Sequence, residues 1–225
     1  MSGVFAGMLP FVFGLIAAPL SVVAVIVLLT ADGGRGRAVV FIAAWTAALF
    51  GVALVVALLT GLGYGGGAPP AWVGAVQSLA GTLMLVLAVR RLRSSLRSSG
   101  DGDPEPPAWI ATVNGLTPVK VVGLAAAISG LVPKNLAMSL GAGTAIGVGG
   151  LGTGGSAAFA LLFAVLGAVG LLTPLAVALV RGPDGDRALE RALTWLVARH
   201  DTVMMTLLFV FGGVFLDKGL TTLAG

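Results

Sequence analysis

Residues 2–31, 38–89, 135–180 and 202–216 contain no Asp, Glu, Lys, Arg or His. A helix needs roughly 20 mostly apolar residues to cross the hydrocarbon core of a bilayer. Runs of this length predict a polytopic, all-α integral membrane protein. A membrane β-barrel would instead show alternating segments of about 10 residues, and this sequence has none. Only 10% of the residues are charged, against roughly 25% in soluble domains. The chain has no cysteine and a single histidine, which excludes disulfide staples, thiolate sites and thiol–disulfide electron transfer. With so few carboxylates as well, neither a metal nor any other cofactor is expected. The opening "MSGVFAGMLPFVFG" lacks the basic segment of a cleavable signal peptide, so it is expected to stay as the first helix.

Hydropathy divides the 225 residues into a single transmembrane domain of six spans, at 4–31, 38–62, 71–89, 117–148, 155–180 and 202–222. "RRLRSSLRSSGDGDPEPPAW" reads as a polar loop between the third and fourth. In "RGPDGDRALERALTWLVARHD", Ala188, Leu189, Leu193, Leu196 and Val197 recur at helical spacing. This segment reads as a short amphipathic helix on the membrane surface.

All ten arginines fall in the loops after spans one, three and five: Arg35, Arg37, Arg90, Arg91, Arg93, Arg97, Arg181, Arg187, Arg191 and Arg199. The intervening "GLGYGGGAPP" and "GGLGTGGS" carry no charge. The positive-inside rule makes the arginine side cytoplasmic and leaves both termini extracytoplasmic in a multi-pass protein of the plasma (inner) membrane. The basic residues then face anionic lipid, and no nucleic-acid partner is expected.

The two halves repeat. Pro19 interrupts span one and Pro133 span four; "GGRGR" follows the first proline and "GGLGT" the second; Phe41 and Phe163 sit in the spans beyond. Residues 1–100, linker included, form one three-helix repeat and residues 112–225 the other. An odd number of spans per repeat inverts the second. Spans one and four would measure about 42–48 Å as straight helices, against a core of about 30 Å. Proline removes a backbone donor and clashes with the preceding turn, so both spans are expected to break at mid-membrane. Inverted repeats with broken helices are the build of many secondary transporters. A simple kink, which membrane helices tolerate, is the alternative.

A half-helix restarting at Pro133 would present the free N–H groups of Lys134 and Asn135, and one restarting at Pro19 those of Leu20 and Ser21. Two such ends plus an ammonium make an anion site, with Asn135 and Ser21 supplying hydrogen bonds. The substrate-binding set is therefore Pro19, Ser21, Pro133, Lys134 and Asn135. The other reading of Lys134 is a snorkelling cation, or one bonded to carbonyls freed by the break. Asp217 and Lys218 are either helix-end anchors or a coupling pair. Lys120 reads as a snorkelling anchor and Asn114 as a loop or cap residue. His200 and Asp201 have no nucleophile beside them, and "GGLGTGG" lacks the Gly-Lys-Ser/Thr ending of a phosphate loop. No enzyme is expected.

"LVPKNLAMSLGAGTAIG" resembles the second-half signature of the LysE transporter superfamily, usually Asn-Pro-Lys, with Val132 here in place of the asparagine. Within it the chain looks like the GAP or Sap branch, the peptidoglycolipid and sulfolipid addressing proteins. "AAPLSVVAVIVLLTADGGRGRAVVFIAAW" resembles that branch's first half. The resemblance carries over Pro19, Pro133, Lys134 and Asn135 and implies export, in this branch of cell-envelope glycolipids. With the anion site above, the expected function is export of an anionic cell-envelope lipid or glycolipid by alternating access. An exporter of amino acids or other small anionic solutes and a non-transporting scaffold of an envelope-export complex stand as alternatives. Membrane lipids are expected partners, and a homodimer is an allowed assembly.

Overall fold

The computed structural model describes residues 1–31, 33–62, 70–97, 113 and 115–224. The linker 98–112, loop residues 63–69 and Asn114 lie outside the described residues. Every regular element among the described residues is helical: α1 (Ser2–Ile16), α2 (Pro19–Thr30), α3 (Gly34–Leu62), α4 (Ala71–Arg97), α5 (Pro118–Leu131), α6 (Pro133–Gly147), α7 (Gly152–Gly167), α8 (Val169–Val180) and α9 (Gly182–Ala224). Helices α3, α4 and α9 are each long and apolar enough to cross a membrane, and three bent pairs could each cross as one span, for up to six.

Two of the bends fall where proline puts them. Proline disfavours helical geometry in the residue before it, and Ala18 and Val132 leave the helix, at φ −111°, ψ 77° and φ −72°, ψ 115°. Pro19 and Pro133 then open α2 and α6 at the first helical position, where a missing N–H costs nothing. The pairs bend by 49° and 68°.

The third bend was not expected. Residues 155–180 read as one span, but α7 and α8 meet at 49° around Ala168. Pro174 lies inside α8, and a β-carbon on Gly170 would sit 2.4 Å from the Ile16 carbonyl oxygen. One on Gly167 would meet Leu15 at 2.8 Å. The bend seats this bare stretch against the end of α1, and proline weakens the ladder that would resist it.

Small residues set the other close approaches. Gly143 and Gly147 of α6 lie on the Ala53 and Ala57 carbonyls of α3, each with β-carbon room of only 2.6 Å. Between α4 and α9, Gly74 faces Gly219 and Gly81 faces Gly212 in antiparallel register. Such small-residue seams let backbones touch where apolar lipid gives no hydrophobic drive. Phe41, Trp45, Phe163 and Phe215 fill the fully buried core.

The amphipathic segment also needs correcting. It is not a separate surface helix but the first part of α9, which runs unbroken for 43 residues. Leu189, 4% exposed, packs with Ile26 of α2 and Ala178 of α8, and Leu193 and Leu196 flank it. Its apolar stripe is therefore covered by protein. Replacing a buried leucine by alanine removes roughly 2–5 kcal/mol of packing. Leu189→Ala is expected to speed amide hydrogen exchange across residues 186–199 while leaving residues 205–216 protected.

Candidate functional site at the helix breaks

Each break frees carbonyls that have lost their N–H partner. The start of α6 caps both sets. Lys134 Nζ donates to the Gly14 carbonyl at 2.6 Å and to that of Ala17 at 3.2 Å, crossing 120 residues of sequence to reach the end of α1. Asn135 Nδ2 donates to the Ile128 carbonyl of α5 at 3.0 Å. Gly14 stands five residues before Pro19 and Ile128 five before Pro133. The same backbone position in each half is thus capped from one Pro-Lys-Asn stretch, once across the halves and once locally. A lysine at mid-bilayer costs roughly 2.5–3.5 kcal/mol on insertion scales, and a hydrogen bond from a charged donor returns about 1.5–3 kcal/mol.

Lys134 and Asn135 are each 2% exposed, Ser21 and Pro19 are buried, and Pro133 is on the surface. Ser21 holds the third helical position of α2, as Asn135 does in α6. Ser21 Oγ and Asn135 Oδ1 are both buried without a hydrogen-bond partner among the described residues. The five residues thus stand at two matched helix starts, with the ammonium already engaged by carbonyl oxygens.

At the end of the molecule holding both termini, a cavity of about 550 Å³ lies between α1, α4, α6 and α9. None of the five residues at the helix starts lines it. Phe11 and Gly141 do; Phe11 is about one turn before Gly14, and Gly141 two turns after Lys134. Asp217 and Lys218 are on its wall, with Lys218 Nζ 5.9 Å from the Phe11 ring centre. Asp217 is exposed, and neither residue forms an ion pair among the described residues. Sequence reasoning picked out this pair but missed Gln77 and Thr144 on the facing wall. Gln77 was legible as the only glutamine in the chain, set inside an uncharged run. Lys120 is exposed at the start of α5.

No curated protein and no solved structure matches the chain. A family model described as Sap, sulfolipid-1-addressing protein, matches residues 8–221, from within α1 almost to the end of α9. With its apolar helices and capped breaks inside that match, this multi-pass membrane protein belongs to the Sap, sulfolipid-1-addressing protein family.

Proposed function

We propose that the chain exports an anionic cell-envelope lipid or glycolipid across the plasma membrane by alternating access about the two proline breaks. The observation that carries this reading is the cross-half cap of Lys134 on Gly14, which ties the two interrupted helices together at their weakest points. The family's description points the same way in substrate class.

Six spans in two inverted repeats are supported by how contacts exchange. The α1–α2 pair packs on α7–α8, as α5–α6 packs on α3, while α4 and α9 pack on each other. Swapping the halves leaves that pattern unchanged. A single open state is supported by the contrast between ends. The end holding the termini carries the 550 Å³ cavity, whereas Ile26, Ala178 and Leu189 close the other. That closed end is also the arginine end: Arg35 reaches the Ala178 carbonyl, Arg37 that of Leu116, and Arg91 pairs with Asp201. With arginines inward, the open end faces outward.

In this reading Lys134 exchanges carbonyl partners for the anionic head group as the breaks rearrange. The unpartnered Ser21 Oγ and Asn135 Oδ1 add polar contacts at the two helix starts. The test is reconstitution into liposomes with a fluorescent sulfated glycolipid and a membrane-impermeant quencher. Protein is expected to speed movement between leaflets, and Lys134→Met to slow that movement about tenfold, equivalent to ~1.4 kcal/mol on the barrier. Equal rates with and without protein would overturn the proposal, as would export of a free amino acid in place of lipid.

A further inference from the structure

A second, smaller cavity adjoins the outer one. It measures about 180 Å³ and shares Val73, Gln77 and Thr144 with its neighbour. Its walls are otherwise apolar: Val56 and Leu59 of α3, Trp72, Val76 and Ala80 of α4, and Phe215 of α9. Helices α3 and α4 barely touch, and α6 forms the floor between them. At the mouth Leu59 is 57% exposed and Trp72 45%, so the slot opens sideways through the wall of the bundle. In a bilayer, that opening faces acyl chains.

The two cavities differ in chemistry. The larger carries Gln77, Thr144, Asp217, Lys218, Thr221 and Thr222, whereas the slot has almost nothing polar beyond the shared Gln77 and Thr144. Gln77 stands at the junction, 8% exposed, with Oε1 lacking any hydrogen-bond partner among the described residues. A buried amide oxygen left unmatched costs about 1–3 kcal/mol, and a ligand hydroxyl at the junction would satisfy it. The wall carries one carboxylate and one ammonium with no excess of either sign, which suits a hydroxyl-rich head more than a bare anion. The larger volume falls within the roughly 300–1,000 Å³ of small-molecule sites.

We infer that the chamber and the slot form one binding site for a membrane amphiphile. Its hydroxylated head occupies the chamber between α1, α4, α6 and α9, and one acyl chain lies in the slot between α3 and α4. The site rests on the lipid reading above and adds to it a lateral entrance and an outer station separate from the helix breaks. Gln77 marks where head meets chain.

The experiment uses full-length protein in nanodiscs and a maltoside bearing one diazirine-tagged dodecyl chain, with cross-links mapped by mass spectrometry. Labelling is expected to concentrate at Leu59, Val76 and Leu140. Gln77→Leu should reduce it roughly three- to tenfold, the worth of one neutral hydrogen bond. Ala80→Phe fills the slot and should abolish labelling there; Val76→Trp does the same from the mouth should the first variant fail to fold. Val210→Phe, on the outer surface of α9, should leave labelling unchanged. Equal slot labelling from phosphatidylcholine, whose head bears no hydroxyl, with the same tagged chain would mean an ordinary lipid groove and overturn the inference, as would label spread evenly around the bundle. The readout needs no turnover. Slot labelling without lipid movement in liposomes removes the transport reading and keeps the site; movement without slot labelling does the reverse.

Discussion

Lys134→Ala lowers the stability of the detergent-solubilised protein by roughly 2–5 kcal/mol, the usual cost of truncating a long buried side chain, whereas Lys134→Met costs under about 1.5 kcal/mol. Two further effects act in both variants and oppose each other. Leaving the buried Gly14 carbonyl without its donor costs about 1–3 kcal/mol, to which the longer, half-buried bond to Ala17 adds little. Removing an ammonium from a site that is 2% exposed relieves an insertion penalty of roughly 2.5–3.5 kcal/mol. Their near cancellation leaves packing as the difference, because methionine preserves the stem and alanine does not. Unfolding in detergent measures both. A methionine variant as unstable as the alanine variant would mean that the carbonyl caps, rather than the packed stem, hold this region together.

Gly81→Leu pries α4 from α9. A β-carbon at Gly81 would lie 2.5 Å from the Leu216 backbone nitrogen and 2.8 Å from the Gly212 carbonyl oxygen. Both are backbone atoms of a helix interior and cannot swing aside. Gly81→Ala alone is expected to cost about 1–3 kcal/mol by overpacking, and leucine more. Gly213, next to Gly212, has nothing within 4 Å of its would-be β-carbon. Gly213→Ala should therefore stabilise by up to about 1 kcal/mol through helix propensity alone. Opposite signs at such close positions separate packing from propensity. Because the chain has no cysteine, spin labels at cysteines placed on Val86 and Val210 would report the widening directly. An unchanged distance in Gly81→Leu would refute the seam.

The sequence announced the proline breaks because proline acts locally: it lacks an N–H wherever it stands, so Pro19 and Pro133 could be read without a partner. The bend at Ala168 could not: Pro174 weakens the ladder only six residues further on, and what sets the bend's place is Leu15 and Ile16 of a distant helix against Gly167 and Gly170. The same limit hid the continuity of α9. Charges from Arg181 to Asp201 set the segment apart as a separate amphipathic helix on the membrane surface, and only contact with Ile26 and Ala178 reveals what covers Leu189. Lys134 was conspicuous as a cation in an apolar run, and bonding to carbonyls freed by the break was one of its two readings; which carbonyls, those of Gly14 and Ala17 in a distant helix, leaves no trace in side-chain chemistry. Asp217 and Lys218 stood out by charge, whereas Gln77 became informative only once two cavities met at its amide.

One unbroken rod carries a wall of the larger cavity at Asp217 and the packing that closes the opposite end at Leu189. About 42 Å of helix separates them, and the tight glycine contacts of Gly212 and Gly219 crowd toward one end. A lever seated off-centre trades a small swing on its short arm for a large one on its long arm. For any stiff tilt about that seam, a modest widening around Asp217 would press the far tip hard against its neighbours, so that the two ends of the bundle would not widen together.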